Sequence, residues 1–419
     1  METMTIVNSR DVNVPVNLFG VPGQDFDSAA LDQIFTAAKL PVAEMAALMP
    51  DAHLGYGLPI GGIVALNNAI SPNFVGVDIA CRMCLTILDM TPELIGDRKK
   101  VLQIMRDVSR FGVGSKFEKG KIRRHEVMAD PLWDEIPLLK ENKATAQQQL
   151  GSSGGGNHFF NLMVGEVLED HVINDKMFPQ GAKFTAIMTH SGSRGIGHKS
   201  ARHYSNLAKE FIKSKSQTDP FYRGIPSGYE FLPLETEAGE EYWKVMQLMG
   251  LYASANHNLI HDHFLKEIGC RSTVRIENHH NFAWEQDGAY IHRKGATPSG
   301  VGEIGIIPGS MGTNSYVVAG KGNIHSIQSS SHGAGRVSSR TQAKKNLDRT
   351  AFKQLVEAND IVTAGVAADE TNQAYKDIER VIQLQVDDGV LTPIFKMIPK
   401  IVIMGNANKR GNELDRVVS

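Results

Sequence analysis

Apolar positions recur with a helical period over residues 28–39. Leu31, Ile34, Phe35 and Ala38 fall on one face there, and Asp27 or Ser28 can cap the first turn. The next segment, Met49-Pro50-Asp51-Ala52-His53-Leu54-Gly55-Tyr56-Gly57, carries turn residues and reads as a loop. Short apolar runs at 62–66, 74–77 and 85–88 predict strands. Thr91-Pro92-Glu93 predicts a helix start with proline at its first position. Residues 114–125 read as a loop bearing Lys116, Lys119, Lys121, Arg123 and Arg124. Runs at 159–164 and 184–189 predict further strands. A long helix follows over 237–267, then strands from 273 to 318, helices near 338–347 and 375–387, and a last strand at 400–404. No repeat or low-complexity linker breaks this mixed order. The fold class expected is therefore α+β, as one large mixed α/β body over residues 1–419.

Composition narrows the function. Hydrophobic residues at 42% and charged residues at 21% allow a sizeable core and exclude a disordered chain. No apolar run approaches the ~18 residues of a membrane span, and the first residues lack the pattern of a signal peptide. Three cysteines, Cys81, Cys84 and Cys270, make no disulfide framework, so a reduced cytoplasmic setting is expected. Lys+Arg of 44 against Asp+Glu of 46 excludes a polycationic nucleic-acid coat but leaves room for a local basic patch.

The 40 glycines and 15 histidines change the picture, because several histidines sit inside glycine-rich runs. Asp78-Ile79-Ala80-Cys81 follows an apolar run, which places a carboxylate and a thiol at its end. Alone, that tetrapeptide is more often a buried cysteine beside a turn aspartate. Cys81-Arg82-Met83-Cys84 is a lone CxxC and weak evidence for zinc. Gly154-Gly155-Gly156-Asn157-His158 and Thr189-His190-Ser191-Gly192-Ser193-Arg194-Gly195 each join a strand to a glycine-rich turn through a histidine, and His279-His280-Asn281 ends a third strand. Three strands that each deliver an imidazole, with Asp78 and Cys81, give five candidate ligands, enough for two metals sharing a thiolate. Pro308-Gly309-Ser310-Met311-Gly312-Thr313 and Ser331-His332-Gly333-Ala334-Gly335-Arg336 are small-residue loops able to wrap phosphate, although neither is a P-loop. His332 stands open to an electrophile and can act as a nucleophile toward phosphorus. The plainer alternative is a helix-capping loop. Arg336, Arg340 and Lys344 follow at helical spacing, as a phosphate-holding stripe or a solvated face. The basic loop 116–124 suits a nucleic-acid backbone, though such loops are more often simply solvated.

In this order, the motifs from Met49-Pro50-Asp51 through Asp78…Cys81, Asn157-His158-Phe159, His190-Ser191-Gly192-Ser193-Arg194, His280-Asn281, Arg293-Lys294-Gly295-Ala296-Thr297, Pro308-Gly309-Ser310-Met311 and His332-Gly333-Ala334-Gly335-Arg336 resemble the RtcB family of RNA ligases. The match spans about residues 49–345, with a weaker one at Ala374-Tyr375-Lys376-Asp377 and a divergent tail over 405–419. The resemblance implies a GTP- and Mn²⁺-dependent ligase for RNA repair or tRNA splicing. Its substrates would be RNA ends with a 2′,3′-cyclic phosphate or 3′-phosphate and RNA ends with a 5′-hydroxyl. By the same resemblance, Cys81 bridges two Mn²⁺ ions, with His158 and His190 completing one site and Asp78 and His280 the other. His332 takes the guanylyl group. Asn157, Phe159, Asn161, Asn281, Pro308, Gly309, Ser310, Met311, Ser315, Gly333, Ala334 and Gly335 hold the nucleoside triphosphate, alongside His158, His280 and His332. Arg194, Arg336 and Arg340 meet RNA phosphates.

The chain departs from the family pattern in places. Ala80 and Arg82 stand where the pattern has glycines, and Arg82 is expected to put a cation beside the metals. The family reads guanine with a glutamate and a lysine. Here those places hold Asn161 and Met404, with Lys409 or Arg410 available to reach back from the tail. Asparagine both donates and accepts, so ATP becomes a possible co-substrate beside GTP. Two other function classes compete: a metal-dependent RNA phosphodiesterase or 3′-end hydrolase on the same site, and a non-catalytic RNA-binding protein. The second needs none of the ligand set.

Overall fold

A computed structural model describes residues 4–7, 12–405 and 414–415. Two sheets organise the chain. The first has six strands in the order Met4–Val7, Val16–Phe19, Ala43–Tyr56, Leu58–Leu66, Ala289–Lys294 and Asn281–Gln286. The second runs Ser272–His279, Arg82–Leu88, Lys183–Ser191, Phe159–Val167, Leu391–Met404, Ser315–Gly320 and Ile304–Ile307, with Val362–Ala364 joined in parallel to Leu391–Met404. The seven strands in that row pair antiparallel, so chain starts and chain ends alternate along each edge. One edge therefore collects His279, Arg82, Ser191, Phe159 and Met404. The fold is α+β, as expected.

The helix Ser28–Ala37 starts where Asp27 accepts from the Ala30 amide at 2.7 Å. The long helix Glu237–Ile268 is capped by Thr236, whose side chain accepts from Gly239, and Gly269 at φ 76° ends it. Its apolar face packs Tyr242, Val245, Met249 and Tyr252 with Trp133 and Tyr204 in one buried cluster. The face toward the eight-stranded sheet buries Asn256, His257 and His261 instead.

Three expectations are corrected. Residues 49–56 form no loop but the end of the Ala43–Tyr56 strand, with register shifts on either side of His53, and only Gly57 stands in a turn, before Leu58. Such bulges accommodate Pro50 and the glycines inside a strand. Residues 74–77 form no strand. Pro72–Val75 is a single helical turn, begun by proline and stopped by Gly76 at φ 97°. The strand Lys183–Ser191 leads, as expected, into a glycine-rich turn, and that turn runs directly into the 22-residue helix Arg194–Lys215. Third, Thr91-Pro92 opens only the short 3₁₀ turn Pro92–Ile95, and the helix itself, Arg98–Asp107, is capped by Asp97.

Candidate metal and nucleotide site

Strand alternation builds the centre. On Lys183–Ser191, Thr189 and Ser191 hydrogen-bond the long helix, so His190 points to the opposite side. Its register partners Met83 and Phe159 lie next to the strand entries, beside Cys81 and His158. His280 sits between Ser272–His279 and Asn281–Gln286. Asp78 arrives from a loop after a helical turn, not from a strand end. Ala80 adopts φ 56°, the left-handed region that the family pattern fills with glycine.

The Cys81 sulfur lies 3.1 Å from His190 Nε2 and 3.5 Å from His158 Nε2. His190 Nε2 is 3.2 Å from His280 Nε2, and His158 Nε2 is 2.9 Å from an Asp78 oxygen. The outer nitrogens of His158 and His190 face the carbonyls of Ser153 (3.0 Å) and Asn157 (3.2 Å), so they carry the ring protons. The inner nitrogens then turn lone pairs toward one another and toward sulfur. Each contact calls for a shared proton or a cation. Burial holds His190 and His280 well below the usual imidazole range, hence neutral. The buried His280 Nδ1 has no hydrogen-bond partner. Burial, and then the Asp78 charge, pushes the Cys81 thiol well up. Burial would raise the Asp78 carboxyl too, but the His158 contact together with the charges of His158 and Arg194 outweighs it and holds it down to about 2, the state in which a proton or cation lies between His158 Nε2 and the carboxylate. A thiol, three imidazoles and a carboxylate at this spacing fit divalent transition ions. Two triads share the sulfur: Asp78–Cys81–His158 and Cys81–His190–His280. The distances thus group Asp78 with His158 and His190 with His280, a different pairing from the one the resemblance implied.

His332 follows the strand Ser329–Ser331. Its Nδ1 lies 2.7 Å from the fully buried Asp51 carboxylate, and its backbone N–H donates to the same oxygen at 3.2 Å. That fixes the ring proton on Nδ1 and leaves Nε2 as a free lone pair. The His332 and His280 rings are 4.8 Å apart. Gly335, at φ +73°, passes so close to Asp51 that a Cβ there would lie 2.0 Å from its carbonyl oxygen.

A cavity of about 630 Å³ opens on these groups. Asp78, Cys81, His190, His280 and His332 line it, together with Asn157, Phe159, Asn161, Asn281, Pro308, Gly309, Ser310, Met311, Ser315, Gly333, Ala334 and Gly335. His158 does not. Met404 also lines the wall, and the buried Asn161 Oδ1 has no partner. Arg336 and Arg340 line the rim and are held by Asp369 and Glu370. Arg194 is buried below the Gly154 turn, donates to Ser152 Oγ at 3.2 Å and does not line the cavity. Arg82 does not supply the cation expected beside the metal-ligand cluster: it points to the long helix, bonding the Gly250 carbonyl at 2.9 Å and Glu277 at 2.9 Å. Strand alternation explains this, since Arg82 shares the helix face with Cys84 and Thr86. It is Arg194 whose guanidinium lies 3.4 Å from His158 Nδ1. The loop basic residues Lys121, Arg123 and Arg124 line a separate hollow of about 360 Å³ with Arg110 and His263. Lys409 and Arg410 lie outside the described residues. Sequence reasoning passed over Asp51, whose only signal was its place in a motif read as a loop, and over Asp369, Glu370, His257 and His261.

Fold and site define a class: an α+β protein with a Cys/His/Asp cluster suited to metal ions and an aspartate-oriented histidine in one cavity. The chain belongs to the tRNA-splicing ligase RtcB family, whose model matches residues 33–134 and 133–405. It is 31% identical to RNA-splicing ligase RtcB of Escherichia coli (strain K12), covering 90% of this chain and 94% of that protein. It is 30% identical to tRNA-splicing ligase RtcB of Methanococcus maripaludis, over 96% and 99% of the two chains. With the Thermococcus kodakarensis protein of the same name it shares 31%, over 90% and 91%.

Proposed function

We propose that this chain is an RNA ligase joining a 3′-phosphate or 2′,3′-cyclic phosphate end to a 5′-hydroxyl end, with GTP and two Mn²⁺ ions. The observation that carries the reading is His332, its proton pinned on Nδ1 by Asp51 and its free Nε2 in the cavity that holds the Cys81 cluster. Asp78, Cys81, His158, His190 and His280 would hold the ions, which supply charge neutralisation for phosphoryl oxygens. His332 Nε2 attacks the α-phosphorus of GTP. A P–N bond forms, and the P–O bond to pyrophosphate breaks. A 3′-phosphate oxygen then takes the guanylyl group and frees His332. The 5′-hydroxyl attacks the activated 3′-phosphorus, loses its proton, and GMP leaves. A cyclic phosphate first adds water and opens at its 2′-oxygen. Asp51 keeps Nε2 unprotonated and stabilises positive charge on the ring while the P–N bond forms.

A second reading concerns the nucleotide. The unpaired Asn161 Oδ1 beside Met404 favours a cavity that accepts ATP as well as GTP. Both readings are tested by incubating the protein with Mn²⁺ and α-labelled GTP or ATP, then denaturing it, with His332→Ala as control. Label retained by wild type and absent from the variant supports the ligase, and the nucleotide retained decides the choice. Cleavage of cyclic phosphate with no label from either nucleotide would replace the ligase by a phosphodiesterase.

A further inference from the structure

The long helix places His257 and His261 one turn apart, facing the eight-stranded sheet. Both are fully buried and neither lines the cavity. With Cys84 they make a second group of ligand-type atoms. Unlike the Cys81 cluster, all four of their ring nitrogens have hydrogen-bond partners.

Those partners form one chain. Arg275 Nε lies 3.0 Å from Thr86 Oγ1, and Thr86 Oγ1 lies 2.7 Å from His261 Nδ1. His261 Nε2 is 2.7 Å from Thr189 Oγ1, which is 2.5 Å from His257 Nδ1. His257 Nε2 is 3.1 Å from the Ser191 carbonyl. The two ends permit a single proton order. A carbonyl only accepts, so His257 Nε2 donates and its Nδ1 is bare. Thr189 must then donate to it and accept from His261 Nε2–H. His261 Nδ1 is bare in turn, so Thr86 donates to it and accepts from Arg275, which only donates.

The chain ends on the peptide between two elements of the metal centre. Ser191 follows His190, and Gly192 packs so closely on Asp78 that a Cβ there would lie 2.2 Å from its carboxylate. Asn256 adds a bond to Ser191 Oγ at 3.1 Å. We propose that His257 and His261 are positioning residues: with Thr86 and Thr189 they form a proton-ordered strut that fixes the Ser191–Gly192 peptide and so aims His190 and Asp78 at their cations. This rests on the reading of the Cys81 cluster as the metal centre. A metal on Cys84, His257 and His261 is the competing assignment. It would strip nitrogens from the strut and require a thiolate where burial keeps a thiol.

The full-length protein tests this by ¹⁵N imidazole spectra and by Mn²⁺ titration. His257 and His261 should both carry the proton on Nε2, whereas His158 and His190 carry it on Nδ1. Thr189→Val and Thr86→Val should each weaken Mn²⁺ binding by about 10- to 100-fold, as loss of support behind metal ligands does. Thr189→Ser and Thr86→Ser should restore it. An Nδ1–H on either helix histidine, unchanged Mn²⁺ affinity in both valine variants, or a further metal lost in Cys84→Ala would overturn the strut. Mn²⁺ binding without RNA joining would sink the ligase reading and leave the strut standing. Were wild type to bind no Mn²⁺, the imidazole spectra would still decide the strut's proton order, and its role in aiming metal ligands would fall.

Discussion

Replacing Asp51 by asparagine isolates the orientation of His332. The two side chains have nearly the same shape, so the fully buried site keeps its packing. What is lost is charge and, with it, an acceptor that cannot donate. Asp51 accepts from the His332 ring at 2.7 Å and from its backbone N–H at 3.2 Å. A hydrogen bond to a charged group contributes about 1.5–3 kcal/mol. With about 1.4 kcal/mol per factor of ten, keeping the amide oxygen on the ring slows nucleotidyl transfer by roughly 10- to 100-fold. Turning the amide NH₂ to the ring is worse. Nδ1 must then accept, the proton moves to Nε2, and the nucleophile loses its lone pair. The deficit then approaches about 10⁴-fold, as for a catalytic histidine in the wrong tautomer. The assay is single-turnover formation of the labelled adduct with Mn²⁺ present, on protein whose thermal unfolding matches wild type. A rate within about threefold of wild type would refute the assigned orientation.

Three further outcomes follow from the geometry. Mn²⁺ at about 100 times its dissociation constant should stabilise the fold by about 2.7 kcal/mol and release the Cys81 thiol proton; Cys81→Ala should remove the thermal shift, and an unchanged shift would place the ions elsewhere. Arg82→Met breaks its buried pair with Glu277 and should cost about 2–4 kcal/mol in denaturant unfolding while leaving Mn²⁺ affinity intact; a selective loss of Mn²⁺ affinity would return Arg82 to the metal site. Burial pushes Lys294 from 10.5 down to about 7, so the cost of its buried ammonium is complete below pH 7. Between pH 7 and 10.5 the unfolded chain holds a proton the folded chain has shed. The stability of wild type relative to Lys294→Met should therefore rise with pH across that window, by about 5 kcal/mol, and a flat difference would contradict the burial argument.

The elements legible in the sequence are those whose own residues set their period and their ends. Glu237–Ile268 has Thr236 before it and Gly269 after it, and its extent is plain from the chain alone. Phe74-Val75-Gly76-Val77 misleads because β-type side chains outweigh the proline at 72 that starts a helical turn. Met49–Gly57 misleads because its turn residues serve bulges, and a bulge exists only against the partner strand 58–66.

The same division runs through the site. Histidines beside glycine-rich turns are visible as candidates because metal ligands and close backbone approach both leave marks in composition. What aims them leaves none. Asp51 reaches His332 across 281 residues, and Thr86 reaches His261 across 175. Threonine on a strand is the default packing choice, so neither Thr86 nor Thr189 signals a role until the helix is laid against the sheet. Arg82 shows the converse. Read linearly it belongs with Cys81; read by strand alternation it belongs with the helix, and the period of two decides. Candidate ligands are thus local information, whereas tautomer and orientation are properties of the packed interface. Changes at that interface should accordingly alter metal affinity and nucleophile readiness without touching any residue that meets the substrate.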